Sequence, residues 1–269
     1  MTEQMDWVPA HVDMDVPSVA RIYDCLLGGG HNFAADREVV AKLLVAQPNL
    51  RWIARANRDF MRRAVSFMVE QGIRQFLDLG SGIPTVGNVH EVVQRVAPET
   101  RVVYVDYDEV AVAHGQLILA RNERVTVLQA DICHPGMVLG APEARALLDF
   151  RQPVGVLLLT TLHFVAPELD PVGAISGYGE ALPSGSYLAV SHFDRGLLPS
   201  GRAEEIAGVM ARTELPAYPR DHAEIVKMFA GFNLVDPGLV PVSLWRPDFP
   251  VDADQAREVL MSGGVGRKP

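Results

Sequence analysis

The stretch Arg74–Leu79 (Arg-Gln-Phe-Leu-Asp-Leu) runs directly into Gly80-Ser81-Gly82, and this junction limits the fold more than any other feature of the chain. A short apolar run that ends in glycine reads as a buried strand rather than a helix. The pattern then repeats. Arg101–Asp106, Val125–Ala130, Val154–Leu159 and Ser186–Phe193 read as strands, with helical stretches at Val86–Val96, Glu109–Arg121, Ala141–Phe150 and Val172–Leu182 between them. Such alternation predicts a mostly parallel sheet with helices on both faces. Val154–Leu159 is apolar throughout, as a central strand covered on both sides must be. Ala203–Arg212 and His222–Ala230 read as helices, followed by strands at Phe232–Val235 and Leu239–Leu244. The Pro237-Gly238 turn between those last two is too short for a crossover helix, so they are expected to form an antiparallel hairpin that completes seven strands.

The first quarter of the chain has a different texture. Helical periodicity runs from Ser18, a candidate N-cap, to the triple glycine Gly28-Gly29-Gly30, then over Asp36–Ala46 and from Asn49 to Glu70. The third stretch carries Arg51, Arg55, Arg58 and Arg62 at helical spacing, which reads as a solvated stripe opposite Ile53, Ala56, Phe60 and Ala64. The chain therefore divides into a helical cap over residues 1–72 and an α/β unit over 73–269, with Met1–Asp15 and Ser262–Pro269 expected as loose tails. The net charge of −9 argues against a uniformly basic nucleic-acid footprint. Cys25 and Cys133 are too few for a disulfide framework and fit no metal knuckle, and no other metal-ligating motif appears. No apolar run approaches the ~20 residues of a membrane helix, and the amino terminus lacks the pattern of a signal peptide. The expectation is a cytoplasmic protein with reduced thiols and no metal.

In a sheet of this kind, ligands bind beyond the carboxyl ends of the strands where the strand order reverses. Gly80-Ser81-Gly82 occupies such an end, Asp106 ends the next strand and Asp131 the one after. A carboxylate at Asp106 suits the two hydroxyls of a ribose, and one at Asp131 suits an adenine amino group. Two ligand classes compete. A dinucleotide loop needs Gly-x-Gly-x-x-Gly with an acid about 20 residues on. Here Ile83-Pro84-Thr85 follows instead of a third glycine, and the acid is Asp106. Asp78 would repel a pyrophosphate but suits a ligand bearing an ammonium group, so S-adenosylmethionine is favoured over NAD.

These residues resemble a known group. Asp78-Leu79-Gly80-Ser81-Gly82 with Asp106 and Asp131 is similar to the class I S-adenosylmethionine-dependent methyltransferases. Tyr23-Asp24-Cys25-Leu26-Leu27-Gly28-Gly29-Gly30-His31-Asn32-Phe33, with Asp36-Arg37, Asn57-Arg58 and Thr160-Thr161-Leu162-His163, resembles an actinobacterial S-adenosyl methyltransferase family of unknown substrate, over roughly Val16–Trp245. The resemblance implies a Rossmann-like fold with an N-terminal helical lid and S-adenosylmethionine as cofactor. It implies a pocket formed by Gly80, Ser81 and Gly82, with Asp78 beside them, Asp106 and Tyr107 at the ribose, Asp131 and Ile132 at adenine, and Thr160 and His163 closing the far side. Tyr23, Gly28, Asn32 and Arg58 would cover it, with Arg58 facing the methionine carboxylate.

Methyl transfer from a sulfonium asks the protein mainly for alignment and exclusion of water, with a base only where the acceptor must lose a proton. His163, just past the fourth strand, is the first candidate, and Tyr23, His31 and His192 follow. The expected activity is methyl transfer to a small-molecule acceptor. A cofactor-binding sensor without turnover and an NAD(P)-dependent oxidoreductase are the competing readings.

Overall fold

A computed structural model describes residues 12–84, 87–198, 201–210 and 216–269. Three helices open it, α1 (Val19–Leu27), α2 (Ala34–Ala46) and α3 (Leu50–Glu70). The α/β part then runs β1 (Gln75–Leu79), α4 (Val89–Val96), β2 (Arg101–Asp106), α5 (Glu109–Leu119), β3 (Val125–Gln129), α6 (Pro135–Gly140), α7 (Pro142–Leu147), β4 (Gly155–Leu159), α8 (Pro171–Ala181) and β5 (Tyr187–Phe193). It closes with α9 (Arg202–Met210), α10 (His222–Lys227), β6 (Asn233–Leu234), β7 (Val240–Pro241), α11 (Ala253–Arg257) and β8 (Met261–Arg267). The expected tail Met1–Asp15 falls largely outside the described residues, as do Val86 and the last two residues expected in Ala203–Arg212.

Among the described residues one sheet of eight strands forms, in the order β3-β2-β1-β4-β5-β8-β6, with β7 also on β8. β1 to β5 are parallel, and the order reverses between β1 and β4. Successive side chains point to opposite faces. Phe76, Val102 and Tyr104 join one apolar cluster with α3, α4 and α5. Leu77, Val103 and Val105 join another with α6, α7, α8 and α10. Both faces are thus dry, which is why the central strands read as unbroken apolar runs.

The carboxyl end of the chain departs from the expectation in two ways. Ser262–Pro269 is not a tail. It supplies most of β8, which pairs antiparallel with β5 from Tyr187↔Arg267 to Phe193↔Met261. Nor do the two segments around Pro237-Gly238 form a hairpin. β6 and β7 both lie on the free edge of β8, Leu234 opposite Gly266 and Val240 opposite Gly263, so the turn makes a bulge in one interrupted edge strand. The count is eight strands, not seven. The run Met-Ser-Gly-Gly-Val-Gly-Arg has poor intrinsic strand preference. Its glycines serve close approach instead: a Cβ on Gly263 would lie 2.8 Å from Val242 Cγ1 and 3.0 Å from the Phe60 ring.

Candidate functional site

A cavity of about 350 Å³ opens at the β1/β4 reversal, between the strand tips and the amino-terminal helices. Its floor is set by how β1 ends. The amides of Gly80 and Ser81 donate to Val105 O at 2.7 and 3.1 Å, folding the loop across β2. Gly82 N then donates to Asp106 Oδ2 at 2.7 Å, while Asp106 Oδ1 accepts from Asp108 N at 3.0 Å. Asp108 in turn caps α5 by accepting from Val110 N and Ala111 N, and its other oxygen takes the Ser18 hydroxyl. Loop, strand end and the start of α1 are therefore one bonded unit.

The two glycines of the loop have different reasons. Gly80 has φ +74°, and a Cβ there would collide with the Thr161 side chain. Gly82 has φ +64° with nothing within 4 Å of its Cβ position, so it leaves open space that any side chain would fill.

Charge concentrates on this side of the cavity. The Asp78 carboxyl takes no hydrogen bond from the described residues around it. Burial pushes its carboxyl up to about 7, Arg58 opposing and Asp106 reinforcing the shift. Burial also raises Asp106, to about 6, against the pull of the Asp108 and Gly82 amides. Arg58 Nε is buried without a hydrogen-bond partner, and the guanidinium carbon stands 5.7 Å from the centre of the Tyr23 ring. A buried, unpaired guanidinium N–H is costly and points to an anionic group that completes it. Asp131 is exposed at the rim, accepting from Cys133 N at 2.8 Å and paired with His134 Nδ1 at 3.1 Å. The Ile132 carbonyl beside it accepts from Tyr178 Oη at 2.9 Å.

On the other side, Thr160 holds φ 56°, a backbone state that a β-branched residue enters only under constraint. Ser191 supplies the constraint, since Thr160 N donates to its carbonyl at 3.2 Å and its hydroxyl oxygen at 3.0 Å. Ser191 Oγ donates to Asn57 Oδ1 at 2.6 Å, Asn57 Nδ2 to Tyr23 Oη at 3.1 Å, and Tyr23 Oη to Ala54 O at 3.2 Å. This chain ties the cap to β5 and to the loop after β4.

His163 is 1% exposed with Nδ1 unpartnered. Burial holds its pKa well below the ordinary value, with His192 and Arg220 reinforcing the shift, so the ring is a neutral imidazole among Phe164, Phe193 and His192. Arg220 fixes the segment that carries it, donating to Leu162 O at 2.7 Å, Val165 O at 2.8 Å and His192 Nε2 at 3.0 Å.

Of the residues singled out from sequence, Tyr23, Arg58, Asp78, Gly80, Ser81, Gly82, Asp106, Tyr107, Asp131, Ile132, Thr160 and His163 all line this one cavity. Gly28 and Asn32 do not. Gly28 caps α1, and Asn32 donates to Asp24 and Gly29 while accepting from Arg37, so both shape the α1–α2 turn. His192 is fully buried behind the lining, and the His31 ring lies tilted against His114 with centres 4.0 Å apart, also outside it. The arginine stripe is divided: Arg55 is exposed and Arg62 pairs with Asp248, whereas Arg51 turns inward to Cys25 O and Leu26 O. Ser18, Asp108, Ser191 and Arg220 carry the site's polar framework: Ser18 stands at the expected N-cap position but its hydroxyl goes to Asp108 instead of the helix, and Ser191 and Arg220 have no local sequence signal. Among the described residues no group of three or more His, Cys, Asp or Glu is placed to hold a metal ion, and no helix is long and apolar enough to cross a membrane.

A cradle without a side chain at Gly82, a carboxylate at Asp106 and an unpaired cation at Arg58 suit a nucleoside that carries an amino-acid tail. The comparisons with known proteins agree. The sequence model of a family described as S-adenosyl methyltransferase matches residues 5–269. A crystal structure of a putative methyltransferase from Thermobifida fusca is 40% identical, with 98% of this chain and 99% of that one covered and a TM-score of 0.92. A DUF574 family protein from Streptomyces avermitilis is 42% identical over 96% of this chain and 99% of its own, with a TM-score of 0.90. No curated protein matches the chain at a significant level. With its glycine loop, its acid-tipped strands and a family match over nearly its whole length, the chain belongs to the S-adenosyl methyltransferase family, and S-adenosylmethionine is its cofactor.

Proposed function

We propose that the protein transfers a methyl group to a small-molecule acceptor in the cytoplasm, with cofactor and acceptor side by side in the β1/β4 crevice. The nicotinamide alternative is set aside with the family assignment. The carrying observation is the division of this cavity into a charged side over β1, β2 and β3 and a side over β4 and β5 whose polar groups are already bonded to one another or neutral.

When bound, the cofactor supplies an activated methyl on a sulfonium that leaves as a neutral thioether. The residues of the chain then have separable tasks. Asp106, held by the backbone amides of Gly82, Asp108 and Tyr107, accepts hydrogen bonds from the ribose hydroxyls. Asp78 takes the ammonium group, and Arg58 the carboxylate through its free Nε. Asp131 and Ile132 meet the adenine edge. Gly82 admits the ligand backbone. Thr160, kept in its unusual conformation by Ser191, and Tyr23, kept in place by Asn57, hold the two walls at a set distance, which orients the acceptor and excludes water. His163, whose pKa burial holds well below the ordinary value, takes a hydrogen bond from the acceptor as a neutral ring and orients it. Helices α1 to α3, in the cap of residues 1–72, act as the roof over the unit of residues 73–269.

The test is calorimetric titration with S-adenosylhomocysteine, followed by incubation of the protein with methyl-labelled cofactor and a fractionated extract of small molecules. Binding with label transfer to a low-molecular-weight fraction is expected. Binding with no transfer to any fraction would overturn the catalytic reading.

A further inference from the structure

The charged and apolar parts of the cavity follow the strand order. Asp131, Asp106 and Asp78 with Gly80–Gly82 stand at the tips of β3, β2 and β1. Past the reversal, the lining over β4, β5 and β8 is Phe164, Phe193 and Met261, with Phe193 and Met261 paired across the β5/β8 ladder. Ile53 and Met61 from α3 and Ile206 from α9 close the space above them. None of these lining residues is charged, and Arg58, on the same helix as Ile53 and Met61, interacts with Asp78 on the other side. The lobe's buried polar side-chain atom without a partner is His163 Nδ1. Arg220, outside the lining, spends its donors on Leu162 O, Val165 O and His192.

The Coulombic and solvation consequences decide what can occupy such a lobe. An ionised acceptor would give up its hydration for a lobe in which no described lining residue offers a countercharge. A nucleotide, a sugar or a zwitterionic amino acid would leave most of its polar groups unmatched. An uncharged ring system loses nothing polar and gains contact with aromatic and thioether side chains. Building on the assignment of the charged side to the cofactor, we propose that the β4–β5–β8 lobe is the acceptor site, and that it selects an uncharged, predominantly hydrocarbon, ring-bearing molecule oriented by a single hydrogen bond to His163.

The experiment uses the full chain saturated with S-adenosylhomocysteine and compares calorimetric binding of 2-naphthol, 2-naphthoate and uridine at pH 7.5. Naphthol should bind at least about thirtyfold more tightly than naphthoate, the factor given by about 2 kcal/mol of uncompensated charge burial, and uridine should not bind. Ile206→Lys, at a half-buried position of the lobe, should invert the preference toward naphthoate while S-adenosylhomocysteine affinity stays within about twofold, since the substitution lies on the other side of the cavity. Should that variant fail to fold, the wild-type panel decides alone. If S-adenosylhomocysteine binds but naphthoate or uridine binds as well as naphthol, or none of the three binds, the acceptor inference is overturned and the cofactor assignment stands. If S-adenosylhomocysteine itself fails to bind, the cofactor assignment falls first and the inference with it.

Discussion

Asp106→Asn is the sharpest probe of the site. In the wild type one carboxylate oxygen accepts Gly82 N at 2.7 Å and the other Asp108 N at 3.0 Å, and the Tyr107 amide also bonds to the group. The remaining lone pairs are what the ribose hydroxyls would use. An amide in the same place keeps one oxygen and turns an NH2 toward either Gly82 N or Asp108 N, donor against donor. Losing a hydrogen bond to a charged acceptor costs about 1.5–3 kcal/mol, which corresponds to roughly 13- to 160-fold in affinity for S-adenosylhomocysteine. The effect on the empty protein should be smaller, because the substitution also removes a buried charge whose pKa is raised to about 6 and which opposes ionisation of Asp78. Titration calorimetry at pH 8, where both wild-type carboxyls are ionised, gives the affinity, and thermal unfolding without ligand gives the stability. A dissociation constant within twofold of wild type, in a variant that melts normally, would refute the ribose role and the geometry argued from it.

The raised carboxyl of Asp78, about 7 in the empty site, makes ligand binding pH-dependent. The ammonium of the cofactor needs the ionised form, so affinity should rise by up to tenfold per pH unit from pH 5.5 to 7 and then level off, with proton release near pH 7 visible as a buffer-dependent binding enthalpy; a flat profile in the wild type would remove Asp78 from the site. In the ligand-free protein the same group acts in the opposite sense on folding: the native state holds its proton to higher pH than the unfolded chain, so Asp78 favours the fold most below pH 4 and progressively less up to about 7. Urea unfolding of Asp78→Asn against wild type should show that difference grow over this window and vanish below it. Gly82→Ala should abolish S-adenosylhomocysteine binding while lowering stability by only about 1 kcal/mol, because its Cβ meets no protein atom but needs a left-handed backbone; a binding-competent Gly82→Ala protein would contradict the cradle. Deleting Ser262–Pro269 should prevent folding, as judged by loss of the cooperative thermal transition, since the segment supplies most of the strand that pairs with β5.

Much of the cavity lining could be read before any tertiary contact was known. Twelve cavity residues were named from the glycine loop, the acids that follow later strands and the motifs around Tyr23, Arg58 and Thr160. These are positions where backbone geometry and ligand chemistry demand a residue type, so the demand is written locally. Ser18, Ser191 and Arg220 escaped because their partners are remote in the chain: Ser191 reaches Asn57 across 134 residues, and Ser18 reaches Asp108 across 90. Nothing near any of them signals the bond.

The same distinction governs the fold. Short unbroken apolar runs with helical stretches between them were enough to determine a mostly parallel sheet with both faces covered, because such runs and helix periodicity are local properties. What the chain does after Phe232 was decided only in three dimensions. Pro237-Gly238 has the composition of a reversal and Met261–Arg267 that of a tail, yet β8 enters the sheet beside β5 and the two flanks of the turn share its other edge. A glycine-rich segment has little strand preference of its own. It becomes a strand where Phe60, Val242 and Phe232 press so close to the backbone that no side chain would fit, and that closeness exists only once the sheet and its helices have packed.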